Sequence, residues 1–225
     1  MITVVASLKG GSGKSTLVFN LAIWLAKSGR RVSTCDLDPQ ATLSDVVEVR
    51  NEENFQPTIE VLNISDDVAT DLEHCRDLFD EVLVDVGTAD FSALKKAIGI
   101  ADQIIIPVPP SQADIWSTQR FLKIVNESVN LSIRTTSPRL ACFINRADTH
   151  HAVRESDEAE AALETLAGIE LLRTRLGQRT VFRRSLSEGV AVFELEPTSK
   201  GTLEFFALAT ALYNPLTIST SKNIT

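Results

Sequence analysis

The sequence predicts an α/β fold: a doubly wound, mostly parallel sheet with helices on both faces. Three observations carry that expectation. Short apolar, β-branched runs alternate with helical patterns along most of the chain, which is how crossover units build a parallel sheet. The first run, residues 2–8, lacks inward–outward alternation, as a strand covered on both faces does. A glycine-rich turn then joins that run directly to the first helical pattern. Ligands of such sheets bind at the carboxyl ends of the strands, so functional residues are expected there.

Residues 14–28 read as a helix with Leu17, Leu21, Trp24 and Leu25 on one stripe, stopped by Gly29. Residues 31–36 read as the second strand, and Pro39 as a break in whatever follows. A strand at 58–64 and a helix at 66–78, with acids in its first turn, come next. Residues 81–86 form a strand, 91–101 a helix, and 103–108 a strand stopped by Pro109 and Pro110. Ser111 has the chemistry to cap a long helix reaching about Asn130. A strand at 140–145, an acidic alanine-rich helix at 154–166 and a last strand at 169–174 follow. Two helices, 179–188 and 198–213, complete a single domain of residues 1–213, and 214–225 is a polar tail.

Length and composition agree with one domain. At 225 residues, 44% hydrophobic and 23% charged, the chain is an ordinary soluble globule able to bury about 70% of its unfolded surface. No apolar run approaches the ~18–20 residues that cross a membrane, and the N-terminus lacks a basic leader. A cytoplasmic location is expected. Cys35, Cys75 and Cys142 are odd in number and in no metal spacing, so they read as packing residues in a reducing compartment. His150 and His151 read as loop residues, and Trp24 and Trp116 as packing or interface residues.

Charge is uneven. Net charge is −8, yet residues 45–81 carry 12 acids and 2 basic residues. Residues 170–184 hold five arginines, Arg173, Arg175, Arg179, Arg183 and Arg184, against Glu170 alone. Such a stretch is either a phosphate-binding face or a solvated helix face. With no second acid nearby in sequence, the guanidinium groups are expected to be free, and to lie outside the nucleotide mouth.

The first strand ends in Lys9-Gly10-Gly11-Ser12-Gly13-Lys14-Ser15-Thr16. Glycines let backbone N–H groups cradle phosphate oxygens, and the following helix adds its positive end. Lys14 supplies charge to the outer phosphates and Ser15 a ligand for Mg²⁺. A general phosphate loop has glycine where this chain has Leu8, followed here by Lys9.

That departure resembles the deviant Walker A motif of the ParA/MinD ATPases. The resemblance implies that Lys9 reaches a partner subunit's nucleotide across a dimer interface. It extends to Asp36-Leu37-Asp38-Pro39-Gln40, similar to the family's Asp-x-Asp-Pro-Gln. It implies that Asp38 positions the attacking water, that Asp36 supports the Mg²⁺ shell, and that Asp85, the Walker B acid, holds Mg²⁺ through water. After Asp85 the family usually continues with Thr or Ala and then Pro-Pro; here it is Val86-Gly87-Thr88. Asn145 resembles the asparagine that contacts adenine.

The resemblance therefore implies an ATPase using ATP and Mg²⁺, dimerising around two ATP molecules and binding DNA without sequence preference. A ParB-like or adaptor protein would trigger hydrolysis, so that a plasmid, conjugation complex or organelle is positioned. Such a protein is nucleoid-associated, and the five arginines are its expected DNA contacts. Because the chain begins at the first strand, no N-terminal helix-turn-helix is expected. The alternatives are a membrane-cycling MinD-like ATPase, which the weakly basic tail does not favour, and a metabolic or iron–sulfur P-loop enzyme. For an iron–sulfur cluster only Cys75 is expected to be available.

Overall fold

A computed structural model describes residues 1–132, 136–149 and 154–213. The expected tail and the two adjacent histidines lie outside them. The strands are β1 (Ile2–Val5), β2 (Val32–Asp36), β3 (Val61–Leu62), β4 (Glu81–Asp85), β5 (Gln103–Val108), β6 (Arg139–Ala147), β7 (Glu170–Leu171) and β8 (Leu176–Gly177). They make one sheet in the order β3-β2-β4-β1-β5-β6-β7, with β8 added to the far end of β6, and every pairing is parallel.

Side-chain alternation splits the core into two layers. Val4, Val82, Val84, Ile104 and Ile106 face one cluster, shared with α3 (Val68–Leu78), α4 (Phe91–Ile100), α5 (Gln112–Leu131) and α6 (Glu155–Glu164). Val5, Leu83 and Ile105 face the other, shared with α1 (Lys14–Lys27), α2 (Thr42–Glu52), α7 (Thr180–Ser187), α8 (Val192–Leu195) and α9 (Lys200–Tyr213). The doubly wound expectation is met.

Several local readings change. α1 is not one-faced: Leu17, Val18, Phe19, Leu21, Ala22 and Ile23 are all buried, because α2, α7 and the sheet enclose it. Pro39 does not exclude a helix; Ala41, at φ 52°, turns the chain and α2 begins one residue later. Ser111 caps α5, accepting from the Asp114 N–H at 3.2 Å. All three cysteines are buried and free in the first cluster, Cys75 included, because α3 packs its inner face on the sheet. Trp24 leans on Tyr213 with ring centroids 6.1 Å apart, whereas Trp116 is 53% exposed. Among the described residues no helix is long and apolar enough to cross a membrane.

Candidate functional site

The register of the central strands builds the site. β4 lies between β2 and β1, with Asp36 opposite Asp85 and Asp85 opposite Val5. The two acids therefore stand beside the strand that feeds the glycine loop. Gly11 (φ 76°) and Gly13 (φ 93°) take left-handed backbone conformations that a side chain disfavours, and Gly13 forms the N-cap of α1. A Cβ on Gly13 would also collide with the Asn145 amide, which donates from Nδ2 to the Ser12 carbonyl at 2.6 Å. Asn145 thus ties β6 to the loop. Ser7 Oγ braces it from the other side, with the Lys9 carbonyl at 3.1 Å and Ser12 Oγ at 2.8 Å.

Lys14 is 5% exposed, sunk at the start of α1, with Asp85 wholly buried nearby. Among the described residues neither Asp85 oxygen has a hydrogen-bond partner. Burial, reinforced by Asp36 and Asp38, pushes its pKa up to about 7, against the opposing pull of Ser15 and Lys14. An orphaned buried carboxylate beside a serine hydroxyl is an all-oxygen donor set that suits Mg²⁺.

Asp36 is engaged by the loops around it. Its Oδ1 accepts the Asp38 N–H at 3.0 Å, and its Oδ2 accepts the Ser44 N–H and hydroxyl at 2.9 and 3.0 Å. Both oxygens hold the loop and the first turn of α2, which shapes the Asp38 loop. Asp38 Oδ1 accepts the Gln40 N–H at 3.0 Å.

A cleft of about 760 Å³ opens beside the loop, lined by Gly13, Thr16, Asn145, Arg146, Arg179 and Arg183 among others. Arg146 sits at φ 56° at the irregular β6–β8 pairing. Two expectations about the basic stretch fail here. Arg179 and Arg183 line the cleft rather than lying away from it. Four of the five arginines are also paired: Arg173 with Glu160 (2.8 Å) and Glu164, and Arg175 with Asp157 (2.7 Å) and Glu160. Arg179 is paired with Glu204 (2.5 Å), and Arg184 with Glu188 (3.1 Å) and Glu196 (2.7 Å). Asp157, Glu160 and Glu164 come from α6 and Glu204 from α9, whereas Glu188 and Glu196 directly follow α7 and α8. Arg183 is exposed, with no ion-pair partner among the described residues.

One group escaped sequence reasoning, and another was read there only as a departure from the family pattern. Asp114, on α5, pairs with Lys9 at 2.9 Å. Gly87, past the end of β4, lies against Asp38. Lys9 was legible from the motif, but nothing in spacing marks its partner.

Comparisons with known proteins agree with this architecture. Residues 3–192 match the family model of the CobQ/CobB/MinD/ParA nucleotide binding domain. The maintenance of carboxysome distribution protein A of Halothiobacillus neapolitanus is 31% identical over 194 residues, 85% of this chain and 86% of that one. A virulence plasmid ParA family protein of Chlamydia muridarum is 24% identical over 247 residues, 91% of this chain and 89% of that one. Among solved structures, apo McdA from Cyanothece superposes with a TM-score of 0.79 at 22% identity, covering 94% of this chain and 98% of that one. The last likeness is one of fold.

Proposed function

The chain belongs to the CobQ/CobB/MinD/ParA nucleotide-binding family, an ATPase using ATP and Mg²⁺, and on that premise we propose that it positions a cargo by an ATP-gated cycle of dimerisation and DNA binding. The observation that carries the reading is the pair of lysines on one phosphate loop. Lys14 is buried at the base of the cradle, while the Lys9 side chain is 42% exposed. One lysine serves its own nucleotide. The other is available to a second copy's nucleotide.

In this reading Gly10, Gly11, Ser12 and Gly13 cradle the phosphates with backbone N–H groups, Thr16 lines the cleft beside them, and Lys14 neutralises the outer phosphates. Ser15 and Asp85 would hold Mg²⁺, which when bound would neutralise charge on the outer phosphates. Asp38, turned in by Asp36, holds the attacking water. Asn145 keeps the loop against β6 and leaves its carbonyl oxygen for the adenine amine.

The dimer doubles every surface contact, so weak sequence-indifferent DNA binding becomes appreciable with ATP without any new contact. Arg183 is the one of the five arginines with no ion-pair partner among the described residues. The other four serve DNA only where phosphate displaces their carboxylates. The names of the relatives support a distribution or partition role; in this reading a ParB-like or adaptor protein stimulates hydrolysis and the nucleoid is the matrix. The test is DNA binding and light scattering with ATP, ADP and no nucleotide. Binding and dimerisation confined to ATP are expected, and equal binding in all three states would remove the gate.

A further inference from the structure

The two lysines of the phosphate loop have different surroundings in the nucleotide-free chain. Lys14 lies in the cradle. Lys9 is held by Asp114, Nζ to Oδ1 2.9 Å, with the carboxylate side chain only 10% exposed. Asp114 is the third residue of α5 and is fixed independently of Lys9. Its other oxygen accepts the Ser111 hydroxyl, and its N–H donates back to Ser111 Oγ at 3.2 Å. Ser111 is the N-cap, and the N-terminal end of a helix favours a negative charge in its first turn. Lys9 can therefore leave without stranding the carboxylate, and can return to an acceptor that has not moved.

We propose that Asp114 is a positioning residue that anchors Lys9 in cis in the resting chain and exchanges it for phosphate when a second copy's ATP arrives. The proposal rests on the dimer reading above. A polyphosphate carries more charge than one carboxylate and outcompetes it only once the second copy is docked. The pair therefore sets a threshold against premature dimerisation, and it recovers Lys9 when the outer phosphate departs. Because the lysine is part-exposed, the threshold is moderate, about three- to tenfold in the dimer constant.

Two measurements test this on the full chain. In the first, the Lys9 amine is acylated in nucleotide-free protein and quantified by mass spectrometry. Asp114→Asn keeps an acceptor for Ser111 but loses the charge, and Lys9 should react at least about threefold faster. Asp114→Glu keeps a carboxylate and should stay near wild type. In the second, the ATP-dependent dimer midpoint is followed by light scattering, with ADP affinity as a fold control. Asp114→Asn should lower the midpoint about three- to tenfold. In a Lys9→Ala background the same substitution should change nothing, because the two residues act as one unit. Unchanged acylation overturns the anchor. An unchanged or raised midpoint where wild type dimerises overturns the exchange alone. If acylation rises yet no variant dimerises with ATP, the dimer reading falls and the exchange falls with it.

Discussion

Gly87 and Asp38 occupy the same few ångströms: a Cβ on Gly87 would stand 2.7 Å from Asp38 Cγ and 2.9 Å from its Cα. The loop after β2 and the loop after β4 are packed into one unit, and the absence of a side chain at residue 87 permits it. The family pattern usually has a larger residue near this point, and a larger residue at 87 would not fit against Asp38 as it stands here. Since the nearest atoms include backbone, the loop would have to move. Gly87→Ala should slow ATP hydrolysis about 10–100-fold, because a ~1 Å displacement of a water-holding group costs that much. ATP affinity should change little, since the phosphate cradle is on other elements. Single-turnover hydrolysis alongside equilibrium binding separates the two, and an unaltered turnover would detach Asp38 from the reaction.

In the proposed reading Lys14 is the main side-chain counter-ion of the phosphates. Lys14→Ala should weaken ATP binding by at least about 100-fold, the scale of a charge-assisted contact in a buried site. Calorimetry with ATP checks it. An unchanged dissociation constant would end the phosphate-loop reading.

The arginine stretch yields a sharper test than its charge alone offered. Arg184 is neutralised by Glu188 and Glu196, whereas Arg183 has no ion-pair partner among the described residues. Arg183→Glu should weaken DNA binding by the ATP-bound protein and lower the salt slope by about 2 for a dimer, one phosphate contact per protomer. Arg184→Glu should change affinity less than about threefold. Titrations at several salt concentrations distinguish them, and equal effects from both would make the whole stretch one surface.

Much of the fold and the heart of the site were legible in the sequence because local chemistry enforces them. Gly11 and Gly13 take positive φ, and strands covered on both faces read as continuous apolar runs. The paired arginines were not legible, because Glu160 and Glu204 meet Arg175 and Arg179 only through tertiary packing. α2 was missed because Pro39 signals a break without saying how soon a helix can restart; Ala41 makes that restart by turning left-handed. β8, two residues long, has no periodicity to read. The Lys9–Asp114 pair joins two predicted elements, but a contact between elements has no sequence spacing.

In the proposed reading Asp85 gives up stability in the nucleotide-free chain for a place in the Mg²⁺ site. Its folded pKa of about 7 lies well above the model-peptide value near 3.9, so ionising it in the nucleotide-free protein is unfavourable at pH 8. Asp85→Asn should raise the melting temperature of that form at pH 8, by an amount corresponding to about 1–3 kcal/mol. The same variant should gain less from Mg²⁺-ATP than wild type does and hydrolyse ATP poorly. Thermal melts with and without Mg²⁺-ATP read both effects. A variant less stable than wild type without nucleotide would mean that the buried carboxylate has a structural partner.

Glu81 gives a pH dependence at the opposite end of the sheet. It is fully buried; Oε1 accepts from Thr3 Oγ1 at 2.6 Å and from Tyr213 at 3.3 Å, while Oε2 has no hydrogen bond and Arg30 stands 3.8 Å away. Burial outweighs these contacts and pushes its pKa up to about 7. An unfolded glutamate titrates near 4.3. Between those values the folded chain keeps a proton that the unfolded chain has released. Stability from this group is therefore greatest below about pH 4.5, falls as pH rises to about 7, and is level beyond. Arg30 and water entry reduce the full linkage energy, leaving a change of about 1–3 kcal/mol. Glu81→Gln removes the titration while keeping the oxygen that Thr3 uses. Subtracting the variant's melting curve from that of wild type cancels Asp85, which titrates in both. Wild type should lose about 3–8 °C relative to Glu81→Gln between pH 5 and pH 8. Parallel melting temperatures across that range would show that Glu81 stays ionised when buried, with Arg30 drawn in as its full counter-ion.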